Sequence, residues 1–366
     1  MKIIINQPRA SYFVGGAEII SFEHAINFSK LNNKVYFITL SPKSIGQNYS
    51  SQFLKFKKEF KNKIHIVEIN QDEKIKYIYN INPGEDRCRW NVESIYYNKK
   101  LYEFLSLKKE KYDVLFSYYN LDAVLIPNNL IRKNILYLCG IPKSQNDFQG
   151  SFLHAYDKII AISEEVKELW KKYARDGINV VSTGVDCNRF SLKKYRKETN
   201  EINLLYVGRL IKRKNIDSII YAFETLQKKY NLKLTIVGDG PDRERLEKIS
   251  KKSIFTGVIS NTEEYYKNSD IFITPSKSGE GLQGTILEAM SSGLTIVATN
   301  SKINRKLLDD KRGVLINSNI NSLIKGIEDA IQFDKIKTGK KCRKYILNNY
   351  SWKIKIKELL EELKWI

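Results

Sequence analysis

The stretch Ile271-Phe272-Ile273-Thr274-Pro275-Ser276-Lys277-Ser278-Gly279-Glu280-Gly281-Leu282-Gln283-Gly284-Thr285-Ile286-Leu287-Glu288-Ala289-Met290 decides the fold. Its first residues form a short apolar run without helical period, which reads as a buried strand. Gly279, Gly281 and Gly284 then mark a loop, and from about Thr285 to Ser291 the spacing is helical. Thr295-Ile296-Val297-Ala298 supplies the next strand, so strand, glycine-rich loop, helix and strand follow one another as in a β-α-β unit.

Working outward, the alternation continues. Leu204-Leu205-Tyr206-Val207 reads as a strand, 216–228 as a helix, Leu234-Thr235-Ile236-Val237 as a strand, 242–251 as a helix and Ile254-Phe255-Thr256 as a strand. Nearer the amino terminus come Ile3-Ile4-Ile5, a loop with Gly15-Gly16, a helical pattern from Ala17 to Phe28, and Val35-Tyr36-Phe37-Ile38. Short runs recur at 64–67, 114–116, 135–138 and 158–162. Such alternation predicts an α/β protein with doubly wound, mainly parallel sheets carrying helices on both faces. It halts in the charged stretch from Phe190 to Glu201, where we place an interdomain linker, giving domains over 1–190 and 191–345 and a terminal helix over 346–366.

A length of 366 residues also suits two domains, and 42% hydrophobic with 11% aromatic residues is enough to build their cores, which excludes a disordered basic tail. Lys and Arg number 62 against 41 Asp and Glu, a formal charge of +21 that would suit nucleic acid, an anionic membrane surface or a phosphorylated ligand, against which stands a compositional drift toward Ile, Lys and Asn. Cys88, Cys139, Cys187 and Cys342 lie far apart, with no CxxC pair to suggest zinc. No apolar run approaches bilayer length, and the opening Met1-Lys2-Ile3-Ile4-Ile5 meets Asn6 too soon for a signal peptide, so we expect a cytoplasmic protein.

Glu280 and Glu288 stand with seven residues between them, the first in the glycine-rich loop and the second on the following helix. This resembles the paired-glutamate motif of glycosyltransferase family 4, the retaining nucleotide-sugar glycosyltransferases of two-domain GT-B type. Further segments resemble the family in the right order: Gly15-Gly16-Ala17-Glu18, Ile160 to Glu164, Thr183-Gly184-Val185-Asp186 with Phe190, Val207-Gly208-Arg209-Leu210 with Lys214, Gly238-Asp239-Gly240-Pro241, Phe255-Thr256-Gly257-Val258, and Tyr350-Ser351-Trp352. The resemblance implies two Rossmann-like domains facing a cleft, with a last helix, here 354–366, crossing back to the first domain.

It also implies roles. Arg209 and Lys214 would hold the donor diphosphate, whose charge grows in the transition state. Glu280 with the backbone of Gly281, Leu282, Gln283, Gly284 and Thr285 would take the donor sugar and phosphates, Glu288 the ribose, and Gly257 with Val258 the base. Gly208 would open the cationic turn, and Gly15 and Gly16 would admit phosphate and acceptor close to backbone. Glu280, Arg209 and Lys214 would be the catalytic set. The implied activity is retaining transfer of a hexose-type sugar to an acceptor hydroxyl, in bacterial-type surface glycan or glycolipid synthesis. A lipid-linked acceptor would fit a basic protein drawn to an anionic membrane face. No cofactor beyond the nucleotide sugar is implied.

The sequence also departs from the family. Where members carry a histidine in the first domain, 136–142 has Cys139-Gly140, and only His154 or Asp147 downstream could substitute. Gln283 stands where a glycine is usual, and Asn300 to Arg305 replaces a glycine- or proline-rich turn. The missing histidine motivates an alternative, a noncatalytic sugar-nucleotide-binding protein. Asp309-Asp310 is not a spaced D-x-D pair, so no metal site is expected, and no Walker, HExxH or G-x-S-x-G motif is present. Nucleic-acid binding lacks any recognition motif. Arg87, Arg89 and Trp90, beside Pro83-Gly84, are acceptor-side candidates.

Overall fold

The computed structural model describes residues 1–72, 75, 86–142, 148–195, 200–250, 252–277 and 282–363, apart from the side chains of 86–90 and 148. The chain divides into two compact units, Met1–Ser182 with Ile356–Ile366, and Thr183–Lys355.

The first unit is built on β1 (Lys2–Asn6), α1 (Gly16–Lys30), β2 (Lys34–Leu40), α2 (Ser51–Phe60), β3 (His65–Ile69), α3 (Asp86–Lys108), β4 (Tyr112–Ser117), β5 (Ile131–Leu138), β6 (Lys158–Ala161), α4 (Glu164–Trp170) and β7 (Asn179–Val180). Its strands form one sheet in the order β3-β2-β1-β4-β5-β6-β7, every pair parallel. Ile3, Ile4 and Ile5 are fully buried, as expected of a central parallel strand covered on both faces.

The second unit contains β8 (Ile202–Val207), α5 (Ile216–Leu226), β9 (Leu232–Val237), α6 (Arg243–Ile249), β10 (Ile254–Phe255), α7 (Glu263–Lys267), β11 (Ile271–Thr274), α8 (Gly284–Ser291), β12 (Thr295–Thr299), α9 (Lys302–Leu308), β13 (Gly313–Ile316), α10 (Ile320–Ile331) and α11 (Lys335–Asn349), with α12 (Trp352–Leu363) closing the chain. Its sheet runs β10-β9-β8-β11-β12-β13, again all parallel. Two apolar clusters line its faces, one around Phe272, Leu287 and Ile346, the other around Tyr206, Phe223 and Ile327.

The expected strands are all present. Residues 190–195, the described start of the charged and aperiodic stretch from Phe190 to Glu201, pack within the second unit: Lys193 is buried, its ammonium donating to the Ser269 carbonyl (2.5 Å) and pairing with Asp270 (3.0 Å). The Asn300 to Arg305 stretch is a helix start, with the Ser301 hydroxyl accepting the Asn304 N–H at 3.2 Å. Two sequence motifs distant in the chain meet: Val185 N–H donates to the Tyr350 carbonyl at 2.8 Å, and Gly184 lies so close under Trp352 that a Cβ would stand 2.7 Å from the indole. Helix α12 begins in the second unit and ends in the first, where Glu362 pairs with Lys158 at 2.6 Å. Among the described residues no helix is long and apolar enough to cross a membrane.

Candidate active site

Each sheet reverses its strand order once, between β1 and β4 and between β8 and β11. At such a switch point neighbouring loops diverge to opposite faces and leave a crevice at the carboxyl ends of the strands. The candidate residues of the second unit leave from these strand ends.

The loops after β8, β9 and β10 are laced through their backbones. Gly208 N–H donates to Val237 O (3.0 Å), Leu210 N–H to Asp239 O (2.9 Å) and Gly238 N–H to Gly257 O (2.9 Å). The lacing demands glycine: at Gly238, with φ of 130°, a Cβ would stand 2.0 Å from the Gly208 carbonyl oxygen. This places Arg209, solvent-exposed, and Val258, 61% exposed, on neighbouring loops at one end of the sheet. Lys214, half-buried, ends a short 3₁₀ turn over Lys212–Lys214, and Asn215 follows in the left-handed region at φ 56°.

That cationic turn is stitched to the exit of β11. Lys277 N–H donates to Arg213 O at 3.0 Å, and the Asn215 amide reaches the Pro275 carbonyl at 3.4 Å. Arg209 and Lys214 therefore share a loop system with the segment leading to the first glutamate. Glu280 and Gly281 lie outside the described residues. Beyond them Leu282 is buried, anchoring the start of α8 in the core. Gln283 has φ −86°, a conformation open to any residue, and its side-chain oxygen accepts the Thr274 hydroxyl at 2.9 Å. That explains how a glutamine can replace glycine here. Gly284 is the exposed first residue of α8, with open space where a Cβ would be, and Thr285 is half-buried beside it.

Glu288 is half-buried, and one of its oxygens accepts the Tyr266 hydroxyl at 2.7 Å. Tyr266 is wholly buried between the rings of Phe190 and Phe272, so its hydroxyl is fixed. Burial raises the Glu288 carboxyl above the ordinary range, while the Tyr266 hydrogen bond and the nearby Arg189 guanidinium oppose the shift. Arg189 is itself held by Glu263, Nε to Oε2 at 3.0 Å. Neither Tyr266 nor this ion pair is signalled by motif or spacing.

In the first unit, Gly15 caps α1 without a side-chain bond, and Gly16 opens the helix with nothing within 4 Å of a notional Cβ. The helix is capped instead by Glu18 in its first turn, whose carboxyl bonds backbone at Gly15. Burial raises this carboxyl, opposed by those backbone bonds and by Arg9. At the position where the resemblance implies a histidine, Cys139 is half-buried, and burial with the nearby Glu18 pushes its thiol far up. His154 is exposed, while His24 is buried against the Tyr118 hydroxyl at 2.7 Å, its imidazole lowered by burial to about 3. Asp147 and the side chains of Arg87, Arg89 and Trp90 lie outside the described residues.

A buried ionic network stands at the same switch point and has no signal in the sequence. The Arg9 guanidinium spans Glu93 (2.8 Å) and Asp122 (3.0 Å) and stacks 4.7 Å over the Tyr119 ring. It ties the loop after β1 to α3 and to the loop after β4. Among the described residues no group of His, Cys, Asp and Glu is arranged to hold a metal ion.

Residues 188–352, the span that carries the cationic turn, Glu288 and Tyr266, match the family model for glycosyl transferases group 1. Over this segment the chain is similar to that family. An uncharacterized glycosyltransferase of Methanocaldococcus jannaschii is 30% identical over 248 residues, covering 59% of this chain and 63% of the relative. The alpha-monoglucosyldiacylglycerol synthase of Acholeplasma laidlawii is 27% identical over 206 residues, 49% of this chain and 51% of the relative. The chain thus spans about half to two thirds of the length of these relatives. The crystal structure of Anabaena HepE in complex with UDP and glucose superposes with a TM-score of 0.76 at 15% identity, covering 100% of this chain and 99% of that one. The fold is the two-domain GT-B fold of glycosyltransferases.

Proposed function

We propose that this protein is a retaining, metal-independent glycosyltransferase that moves a hexose-type sugar from a nucleoside-diphosphate sugar to an acceptor hydroxyl. The observation that carries the reading is the β8/β11 switch point of the group 1 segment, where the Arg209–Lys214 turn is bonded to the exit of β11 and Glu288 is held by Tyr266. Arg209 and Lys214 take the diphosphate, Glu288 accepts from the ribose diol, the backbone of Gly257 and Val258 meets the base, and Glu280 with residues 281–285 takes the sugar. UDP and glucose in the complex of the similar HepE fit such a donor.

In the transfer, the bond from the sugar C1 to the diphosphate oxygen breaks with its electron pair leaving on phosphate. The acceptor oxygen bonds C1 on the same face, and its proton passes to the departing diphosphate. Such a path needs no histidine where Cys139 stands. The two cations offset charge that grows as the bond breaks, so they act on turnover more than on binding. We further propose that the acceptor is glycan or lipid-linked, as the name of the similar alpha-monoglucosyldiacylglycerol synthase suggests.

The test is diphosphate release from a panel of sugar nucleotides. Arg209→Ala is expected to lower kcat about a hundredfold or more with a smaller change in KM. Glu288→Ala is expected to raise donor KM. Undiminished turnover in both variants sinks the assignment. Saturable binding of a sugar nucleotide without any release would favour the noncatalytic reading.

A further inference from the structure

The segment Thr183-Gly184-Val185-Asp186 with Phe190 holds no part in the donor reading above, yet its packing aims two side chains at that site. It is the stretch by which the chain enters the second unit, which begins at Thr183. Its backbone is pinned along its length. Val185 N–H donates to the Tyr350 carbonyl at 2.8 Å, and Asp186 Oδ1 accepts the N–H groups of Asn188 (2.9 Å) and Arg189 (3.1 Å). This closes a turn that brings Phe190 N–H back to the Asp186 carbonyl at 2.9 Å. From α11 the Arg343 guanidinium donates to the carbonyls of Cys187 (2.8 Å) and Phe190 (2.7 Å). The turn therefore fixes the direction in which Arg189 and Phe190 leave it.

Phe190 meets the Tyr266 ring edge-on at 5.5 Å between centroids, and Tyr266 in turn donates to Glu288. Arg189 reaches the loop that joins β10 to α7. Its Nη2 donates to the Ser260 carbonyl at 2.8 Å, two residues beyond Val258. Nε and Nη2 also meet Glu263 Oε2, at 3.0 and 2.9 Å. A planar guanidinium can serve a carbonyl and a carboxylate from neighbouring nitrogens at once, which an ammonium cannot do in the same geometry.

As a stability device this pair would be weak, since 36% of the Arg189 side chain and 19% of the Glu263 side chain are exposed. What it fixes is position. The same guanidinium also favours the ionised form of Glu288, as the Tyr266 hydroxyl does, whereas Glu263 opposes it. These are the charged and titratable groups that face Glu288 among the described residues.

We propose that Arg189 is the positioning residue for the donor's nucleoside: from the pinned 186–190 turn it holds the Ser260 carbonyl, and with it the loop that meets the base, in register with the carboxylate that takes the ribose. Base and ribose contacts are thereby set by one side chain before the ligand arrives, which lowers the ordering cost of binding. Arg189 acts through its neighbours and touches no reacting atom. The inference rests on the nucleotide-sugar reading for its ligand and goes beyond it in assigning the aim of the base loop to a residue outside that loop.

The experiment measures Kd for UDP, GDP, ADP, CDP and dTDP with the full chain, from neutral pH down through the carboxylate range. The diphosphate that binds wild type most tightly is carried through the variants. Arg189→Met keeps much of the side-chain length without charge or fork. It is expected to weaken binding at neutral pH about tenfold, the order of one charge-assisted hydrogen bond. Its acid limb should move to higher pH, because the cation that favours ionised Glu288 is gone. Arg189→Lys should weaken neutral-pH binding similarly while restoring the limb, since it keeps the charge and loses the fork. Glu263→Gln should move the limb the opposite way, to lower pH, and it carries the pH comparison should Arg189→Met not fold.

Inorganic pyrophosphate, which has no nucleoside, is the control. Its affinity is expected to be equal in every form, and variants that lose it along with the nucleotide overturn the proposal, because they have lost the fold of the site rather than its alignment. Variants that bind the diphosphate as wild type does, with unmoved limbs, overturn it as well. A wild type that binds none of the five diphosphates would fault the nucleotide-sugar reading itself and the proposal with it.

Discussion

At the scale of the residue, Glu288 and Tyr266 make one unit. A ribose-binding carboxyl must be ionised to accept both hydroxyls, yet burial raises Glu288, and the Tyr266 hydrogen bond opposes that shift. Protonation removes the acceptor, so donor binding weakens as pH falls through the raised value. Tyr266→Phe removes a group that stabilises the ionised form, so the acid limb of a donor KM profile is expected to move to higher pH. KM at neutral pH should rise about two- to tenfold, the worth of one hydrogen bond. An unmoved limb would show that the hydroxyl does not hold Glu288 for binding. Glu288 was legible in the sequence because it stands at fixed spacing from Glu280 on a helix after a glycine-rich loop. Tyr266 was not, since an aromatic 22 residues upstream reads as core, which by its burial it also is.

At the scale of the element, the strands were legible because parallel strands covered on both faces are continuous apolar runs, and Ile3-Ile4-Ile5 and Ile271 to Thr274 show it. Helix α3 was not. Its buried side mixes Glu93, Ser94 and Asn98 with Tyr97, Leu101 and Leu105, while Ile95 and Leu107 lie outward, so periodicity carries no clear stripe, and the Arg9 network joins residues 84 and 113 positions apart. The glycine loops were legible as turns but not as a lace. Gly238 is the test of that lace. Gly238→Ala puts a methyl 2.0 Å from the Gly208 oxygen at a φ of 130°, so one loop must move. We expect a loss of about 3 kcal/mol in the stability of the second unit, from strain and overpacking together. Donor turnover should fall as well, because the displaced loop carries Arg209. A variant that melts and turns over like wild type would mean the loops do not depend on this contact.

At the scale of the whole molecule, the length pointed to two domains and the alternation to two doubly wound sheets, and both sheets are present with the same style of reversal. The charge of +21 was less readable, because composition does not say where cations sit. Arg209 and Lys214 draw two of them to the loop after one strand. That use is open to experiment. A nucleoside diphosphate that binds the folded second unit must stabilise it, by about 2.7 kcal/mol at a hundred times its Kd. For a unit of this size that is a rise of roughly 5–10 °C in Tm. Arg209→Ala with Lys214→Ala should cut the rise for a nucleoside diphosphate, at fixed ligand concentration, to about that for the parent nucleoside, whose own rise it should leave, since in the proposed reading base and ribose contacts fall to Val258 and Glu288. If the nucleoside and its diphosphate lose protection equally when the two cations are removed, then the turn after β8 supports the fold of the site rather than binding phosphate, and the diphosphate must be placed elsewhere.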